Sequence, residues 1–265
     1  MHLGINNSLG KFILPKEPLP FSLEAANYFD RLEAAGDTTY TTYKQPLANY
    51  IDGLVALGGA YWDTMESACS YVGVGIQGVT VPLRDGMTVP TQNNFVAGDL
   101  NVLTGLKGDA STKYISTDVR ENSVGQNDVS MSVYVTEAYN VYGLSISGLA
   151  GGNRTGVLVR VYAGGSVVWN RSATASSFAA EAAPEFYGTS RDNGSDYNLQ
   201  NGSTLNTISL LTSGTLPGSF VTVFSAANGS GKSPNRIATY HYGPALDLAT
   251  LRSLQATLIA EIAAI

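Results

Sequence analysis

FYGTSRDNGSDYNLQNGS, running from Phe186 to Ser203, is the stretch that decides the fold. Two short runs of strand-forming residues are each followed by an Asn-Gly pair, Asn193-Gly194 and Asn201-Gly202. Both central residues of a type I′ hairpin turn take φ > 0, which Asn and Gly tolerate best, so the chain is predicted to reverse twice here. That makes the architecture antiparallel β. It also places Tyr187, Arg191 and Tyr197 close to turns, where a scaffold displays binding groups.

The same reading extends outward. In DVSMSVYVTE, Val129, Met131, Val133 and Val135 alternate with Ser130, Ser132, Tyr134 and Thr136, which predicts one buried face and one polar face. VLVRVYAGGSVVWN has the form of a hairpin closed by Gly164-Gly165, and SFVTVFSA and RIATYHYG supply two more strands. No repeat of 20 to 50 residues is visible, which disfavours a propeller or solenoid. The expected fold is mainly β: an antiparallel jelly-roll β-sandwich over residues 99–246, with a small N-terminal helical region and a C-terminal helix.

Residues 1–20 hold Pro15, Pro18 and Pro20 and read as an extended arm. Residues 21–75 read as a helical assembly region. Ser22 caps a first helix that ends at Gly36, Pro46 opens a second, and Ala60 to Ser70 carries a third with Trp62, Met65 and Cys69 on one side. The Gly-, Val- and Thr-rich segment 76–98 reads as a linker with short extended pieces. Asp247 caps the last helix, residues 247–265, whose stripe is Leu248, Leu251, Leu254, Leu258 and Ile262. With alanine over much of its remaining surface, this helix lies either on its own sandwich or against its copies in other subunits. Leu251, Leu254, Leu258 and Ile262 are accordingly candidate oligomer contacts.

The 265 residues carry a net charge of −6 with only 14% charged, so there is no basic field for nucleic acid. The single cysteine, Cys69, forms no intrachain disulfide and reads as a buried small hydrophobe. No secretory signal and no membrane span is evident, which points to synthesis and folding in the cytosol without membrane insertion. Catalysis finds little material. His2 and His241 are the only histidines, and His241, between Tyr240 and Tyr242, reads as a hydrogen-bonded sheet residue. Glu181 with Glu185 and Asp192 with Asp196 lack the spacing of a hydrolytic pair, and DNGSD lacks that of a calcium loop and reads as an Asx-stabilised turn. No catalytic residue, metal site or cofactor is expected. Sugars present apolar C–H faces with hydroxyl rims, so Trp169, Tyr187, Arg191 and Tyr197 are candidate glycan or partner contacts, although each suits a core or interface equally.

Three stretches carry a family resemblance: Tyr50 to Asp85 around LGGAYWDTMESACSYVG, then LTGLKGDASTKYISTDV, then FYGTSRDNGSDYNLQNGS with RIATYHYGPALDLATLRSLQATLIAEI. In this order they resemble virion structural proteins of tailed bacteriophages, notably of cyanobacterial and other marine phages, that carry a concanavalin-like (laminin G-like) jelly roll. The resemblance implies a non-enzymatic virion component, a tail fibre, knob or capsid decoration protein made in the host cytoplasm. Its implied partners are other virion proteins and its own copies, as a homotrimer or other homo-oligomer. A host-surface glycan binder and, behind it, a glycan depolymerase are the alternatives.

Overall fold

The computed structural model describes residues 21–148, 154–159, 165–172, 174–179, 183–209, 218–226 and 229–265. The expected arm therefore lies outside the described residues, as do Gly164 and Glu181. Three helices come first: α1 (Leu23–Ala34), α2 (Lys44–Ala56) and α3 (Gly59–Thr64). The strands follow as β1 (Ser67–Ser70), β2 (Thr91–Asn93), β3 (Leu100–Asn101), β4 (Gly105–Lys107), β5 (Tyr114–Arg120), β6 (Val129–Glu137), β7 (Leu144–Ser147) and β8 (Arg154–Leu158). They continue as β9 (Ser166–Ser172), β10 (Ser176–Phe178), β11 (Glu185–Arg191), β12 (Asp196–Asn201), β13 (Thr204–Ser209), β14 (Phe220–Val223) and β15 (Arg236–Gly243), before helix α4 (Leu248–Ala263).

Two antiparallel sheets form the sandwich. Sheet A runs β13-β12-β11-β6-β15-β4-β3, with β1 sharing the β4 edge of β15, and sheet B runs β10-β9-β8-β7-β14-β5-β2. The opening stretch is the meander β11-β12-β13 at one end of sheet A. Its turns differ from the type I′ expectation. Asn193 builds an Asx turn, its Oδ1 accepting from the backbone N–H of Ser195 (2.8 Å) and Asp196 (2.9 Å). In the second turn Asn201 still pairs with Thr204, so the two-residue loop is Gly202-Ser203 with φ +56° at the glycine, the type II′ pattern.

Helix ends follow their sequence signals. Ser22 Oγ accepts from Ala25 N–H (3.1 Å), and Asp247 Oδ1 from Ala249 N–H (3.0 Å). Gly36 (φ +78°) ends α1 in a Schellman motif, with Gly36 N–H on Glu33 O and Asp37 N–H on Leu32 O, both 2.9 Å.

Four expectations change. The third helix stops at Thr64, and Ser67–Ser70 pairs with β15, so Cys69 is a buried strand residue whose thiol burial pushes up to about 12. Periodicity cannot separate so short an apolar run from a strand. Residues 76–98 are no tether, since Val79, Val81, Leu83, Met87 and Phe95 are buried in the same core as the helices and both sheets. The polar face of β6 is covered rather than solvated: Ser130, Ser132 and Tyr134 are buried, because the helices lie over that side of sheet A. The last stripe is intramolecular. Leu251, Leu258 and Ile262 are buried, and Leu254 lies so close to α2 that a Cβ on Gly53 would come within 2.4 Å of it. Gln255 reaches Tyr50 (3.3 Å) and Arg252 pairs with Glu185 (3.2 Å), so these leucines serve the fold and are not free for another subunit. The molecule is three layers: helices, sheet A, sheet B.

Candidate functional site

The structure brings Arg191 and Tyr197 together and sets Tyr187 farther along the same hairpin, all three inside. Thr189 and Arg191 of β11 face sheet B: Thr189 Oγ1 accepts from Asn170 Nδ2 (3.0 Å), and Arg191 Nη2 donates to Asn170 O (3.0 Å). The Arg191 guanidinium sits 5.5 Å from the Tyr197 ring centroid, Tyr187 stacks on Phe178 at 6.0 Å, and Tyr197 OH meets Ser176 Oγ at 2.8 Å. All three are buried. Trp169 lies on the opposite side of sheet B, packed with Leu144, Leu158 and Ala226 and 7% exposed. None of the four offers a ring face to solvent, so none serves as a glycan platform in this structure.

Beside them lies a second buried polar group. Arg171 (φ +53°) is a bulge residue: Arg154 pairs with Ser172 and Thr155 with Asn170, leaving Arg171 without a cross-strand partner residue. The bulge turns its side chain inward, where Nη2 donates to Glu121 O (2.7 Å) and Nε lies 4.0 Å from Glu121 Oε1. Tyr242 OH donates to the same carbonyl (2.6 Å). Burial pushes the Glu121 carboxyl up to about 7, the range of a general acid, yet the residue has no exposed surface. His241 faces the helices 5.3 Å from the Tyr61 ring, and neither ring nitrogen has a hydrogen-bond partner among the described residues, which corrects the hydrogen-bonded expectation. Burial lowers its pKa to about 3 and keeps it neutral.

The site that does face solvent is one end of the sandwich, where the β4–β5 (108–113), β6–β7 (138–143) and β14–β15 loops meet. Asn235, buried, ties them. Its Oδ1 accepts from Tyr139 N–H (3.0 Å), its Nδ2 donates to Val159 O (2.8 Å) and Ser145 Oγ (3.2 Å), and its carbonyl accepts from Gly108 N–H (3.0 Å). The loops approach so closely that a Cβ on Gly108 would sit 1.9 Å from Ser233 O, and one on Gly143 2.4 Å from Lys232 O. Asp109 folds the first loop by accepting from the N–H groups of Ser111, Thr112 and Lys113 (2.8 to 2.9 Å) and from Thr112 Oγ1 (2.7 Å). Burial would raise its pKa, but these bonds outweigh that and hold it far below the ordinary carboxylate range.

On this rigid base stand three tyrosines and two lysines. Tyr139 OH donates to Glu137 Oε2 (2.7 Å) and accepts from Lys107, whose Nζ lies 4.6 Å from the Tyr139 ring centroid. Glu137 in turn takes Arg236 Nε at 2.9 Å. Lys232 Nζ stands 5.6 Å from the Tyr114 ring centroid, and next to it Tyr142 is 59% exposed. Two aromatic faces are thus braced by cations, one projects freely, and Asn140 and Val141 are exposed between them. The arrangement can stack on an apolar ring face and hydrogen-bond its rim. Sequence reading passed over these residues. The available signal was EAYNVYG, two tyrosines around an asparagine in a connection too long for a tight turn.

No protein family and no curated protein sequence matches the chain. Several solved structures share its shape. The binding domain of botulinum neurotoxin DC, solved with rat synaptotagmin II, is 12% identical at a TM-score of 0.53, covering 74% of this chain and 52% of that one. Botulinum neurotoxin type C, whose cell entry depends on interaction with two ganglioside molecules, is 11% identical at 0.50, covering 76% and 53%. Domain 4 of AbnA, an extracellular arabinanase of Geobacillus stearothermophilus solved with arabinotriose, is 12% identical at 0.47, covering 72% and 98%. The chain spans about half the length of the two toxin chains. The toxin likenesses show the β-sandwich fold.

Proposed function

We propose that this protein is a glycan-binding display domain that carries out no chemistry of its own, and that its binding surface is the three-loop rim. The observation that carries the reading is the rim itself: Tyr114, Tyr139 and Tyr142 at solvent, braced by Lys107 and Lys232 on loops locked together by Asn235. Rigid aromatic faces bind sugars with little ordering cost. A fold shared with a toxin that requires gangliosides supports the same reading. The non-enzymatic part is supported by the fate of the candidate acids. Glu121, the one with the raised pKa, is sealed in the core, and Asp192 and Asp196 both accept from Asn193 Nδ2 within their turn. The setting in which the rim is displayed follows the sequence resemblance: a component of a tailed-phage particle. In that setting the rim would meet the host surface.

A glycan array tests the binding claim. The wild type should retain a subset of glycans and Tyr142→Ala should lose them by at least tenfold, whereas equal retention by the two proteins would overturn the assignment. Peptide mass spectrometry of purified particles tests the setting, and absence of the chain from them would overturn it.

A further inference from the structure

The loop rim carries unspent charge as well as aromatic faces. Four cations stand at it, Lys107, Lys113, Lys232 and Arg236, with three carboxylates, Asp99, Asp109 and Glu137. Each carboxylate is already engaged. Asp99 Oδ1 pairs with Lys113 Nζ (2.5 Å), and its Oδ2 accepts from Val96 N–H (2.8 Å). Asp109 is occupied by the hydrogen bonds of its own loop. Glu137 meets Arg236 Nε (2.9 Å), Tyr139 OH (2.7 Å) and Lys107 Nζ (3.6 Å). Lys232 is left over. Its side chain is half-buried, its ammonium donates to Gly229 O beside the Tyr114 ring, and it belongs to none of the ion pairs among the described residues. An ammonium has three N–H donors, so two remain for a guest. Tyr142 adjoins it: a Cβ on Gly231 would come 3.7 Å from the Tyr142 ring, and one on Gly143 would meet Lys232 O. The exposed tyrosine and the spare cation therefore sit on two touching loops.

We propose that the rim selects an acidic sugar, one whose carboxylate or sulfate bonds to Lys232 Nζ while its apolar C–H face lies on Tyr142. This rests on the glycan-binding reading of the rim and names the class of sugar and the residue that selects it. A bond between ammonium and anion is roughly twice as strong as one between neutral groups, so the acid is what Lys232 rewards. A neutral sugar of the same shape keeps the stacking and loses the charge. An amino sugar is repelled by the same ammonium. The whole chain carries a net charge of −6, so a spare cation at this end also turns the rim, rather than another face, toward an anionic polymer.

The test is a glycan array on which each carboxylated or sulfated glycan is printed beside its carboxyl-reduced or desulfated form, probed with the whole chain. The wild type should retain acidic members about tenfold more strongly than their neutral counterparts, and added salt should shrink that preference. The two kinds of pair show separately whether carboxylate or sulfate is the group read. Lys232→Gln should bring the ratio of acidic to neutral retention close to one. Lys44→Gln, which makes the same change in net charge on helix α2, should keep the ratio of the wild type. Neutral forms retained as strongly as acidic ones, a preference that survives Lys232→Gln, or one that Lys44→Gln removes equally would each overturn the acidic-sugar assignment and leave the rim a glycan site. No glycan retained at all would overturn both.

Discussion

Tyr187 and Tyr197 on the β11–β12 hairpin and Tyr139 and Tyr142 around the β6–β7 loop are the same residue type in similar polar company, yet they meet opposite fates. The first pair is buried between the sheets, whereas Tyr142 is 59% exposed and Tyr139 only partly covered. Nearness to a turn does not decide exposure. Tight turns keep β11 and β12 in register, so Tyr187, Thr189, Arg191 and Tyr197 all point at sheet B. The β6–β7 connection spans residues 138–143, passes the strand ends, and carries its tyrosines beyond the core. An aromatic residue in a strand with a second sheet opposite it is core, and the same residue past the strand end is surface.

Stability measurements sharpen that contrast. Tyr187→Ala should cost about 3–5 kcal/mol in urea unfolding, the range for emptying a buried aromatic site. A loss under about 1 kcal/mol would mean that the hairpin is not the sealed element described. Glu121→Gln should have the next largest effect, and it depends on pH. Because the native carboxyl titrates at about 7 against an ordinary value of 4.5, the native state holds a proton that the unfolded chain has released between those values. Wild-type stability should therefore fall as pH rises through that window. The glutamine variant should lack this slope and above pH 7 exceed the wild type by up to about 3 kcal/mol. Parallel stability curves for the two proteins would contradict a sealed, protonated Glu121.

Asn235→Ala should cost about 1–3 kcal/mol, because it leaves Tyr139 N–H and Val159 O without their partner. It should also loosen the rim, read as faster amide exchange at 138–143. At the bottom of the scale, Tyr142→Ala should change stability by no more than about 0.5 kcal/mol while removing binding. A large stability loss there would make Tyr142 a structural residue.

The contrast also marks how far the sequence could be read. The caps at Ser22, Gly36 and Asp247 are local signals that sit where they were expected, and the Asn-Gly pairs do mark chain reversals, although of other turn types. The helical layer was not legible as a layer. The serines of β6 look like a solvent face in sequence, and only the course of α3 and α4 over sheet A buries them. The inward turn of Arg171 depends on a bulge that no local pattern announces. The rim was missed for the same reason, since three loops far apart in sequence meet only through Asn235.

The most direct test is a backbone amide shift map of the isotope-labelled protein titrated with polysaccharide released from a host cell envelope. Shifts confined to residues 108–113, 138–143 and 229–235 are the predicted result. Shifts centred on 186–203 with the rim unmoved, or none anywhere at saturating polysaccharide, would contradict it.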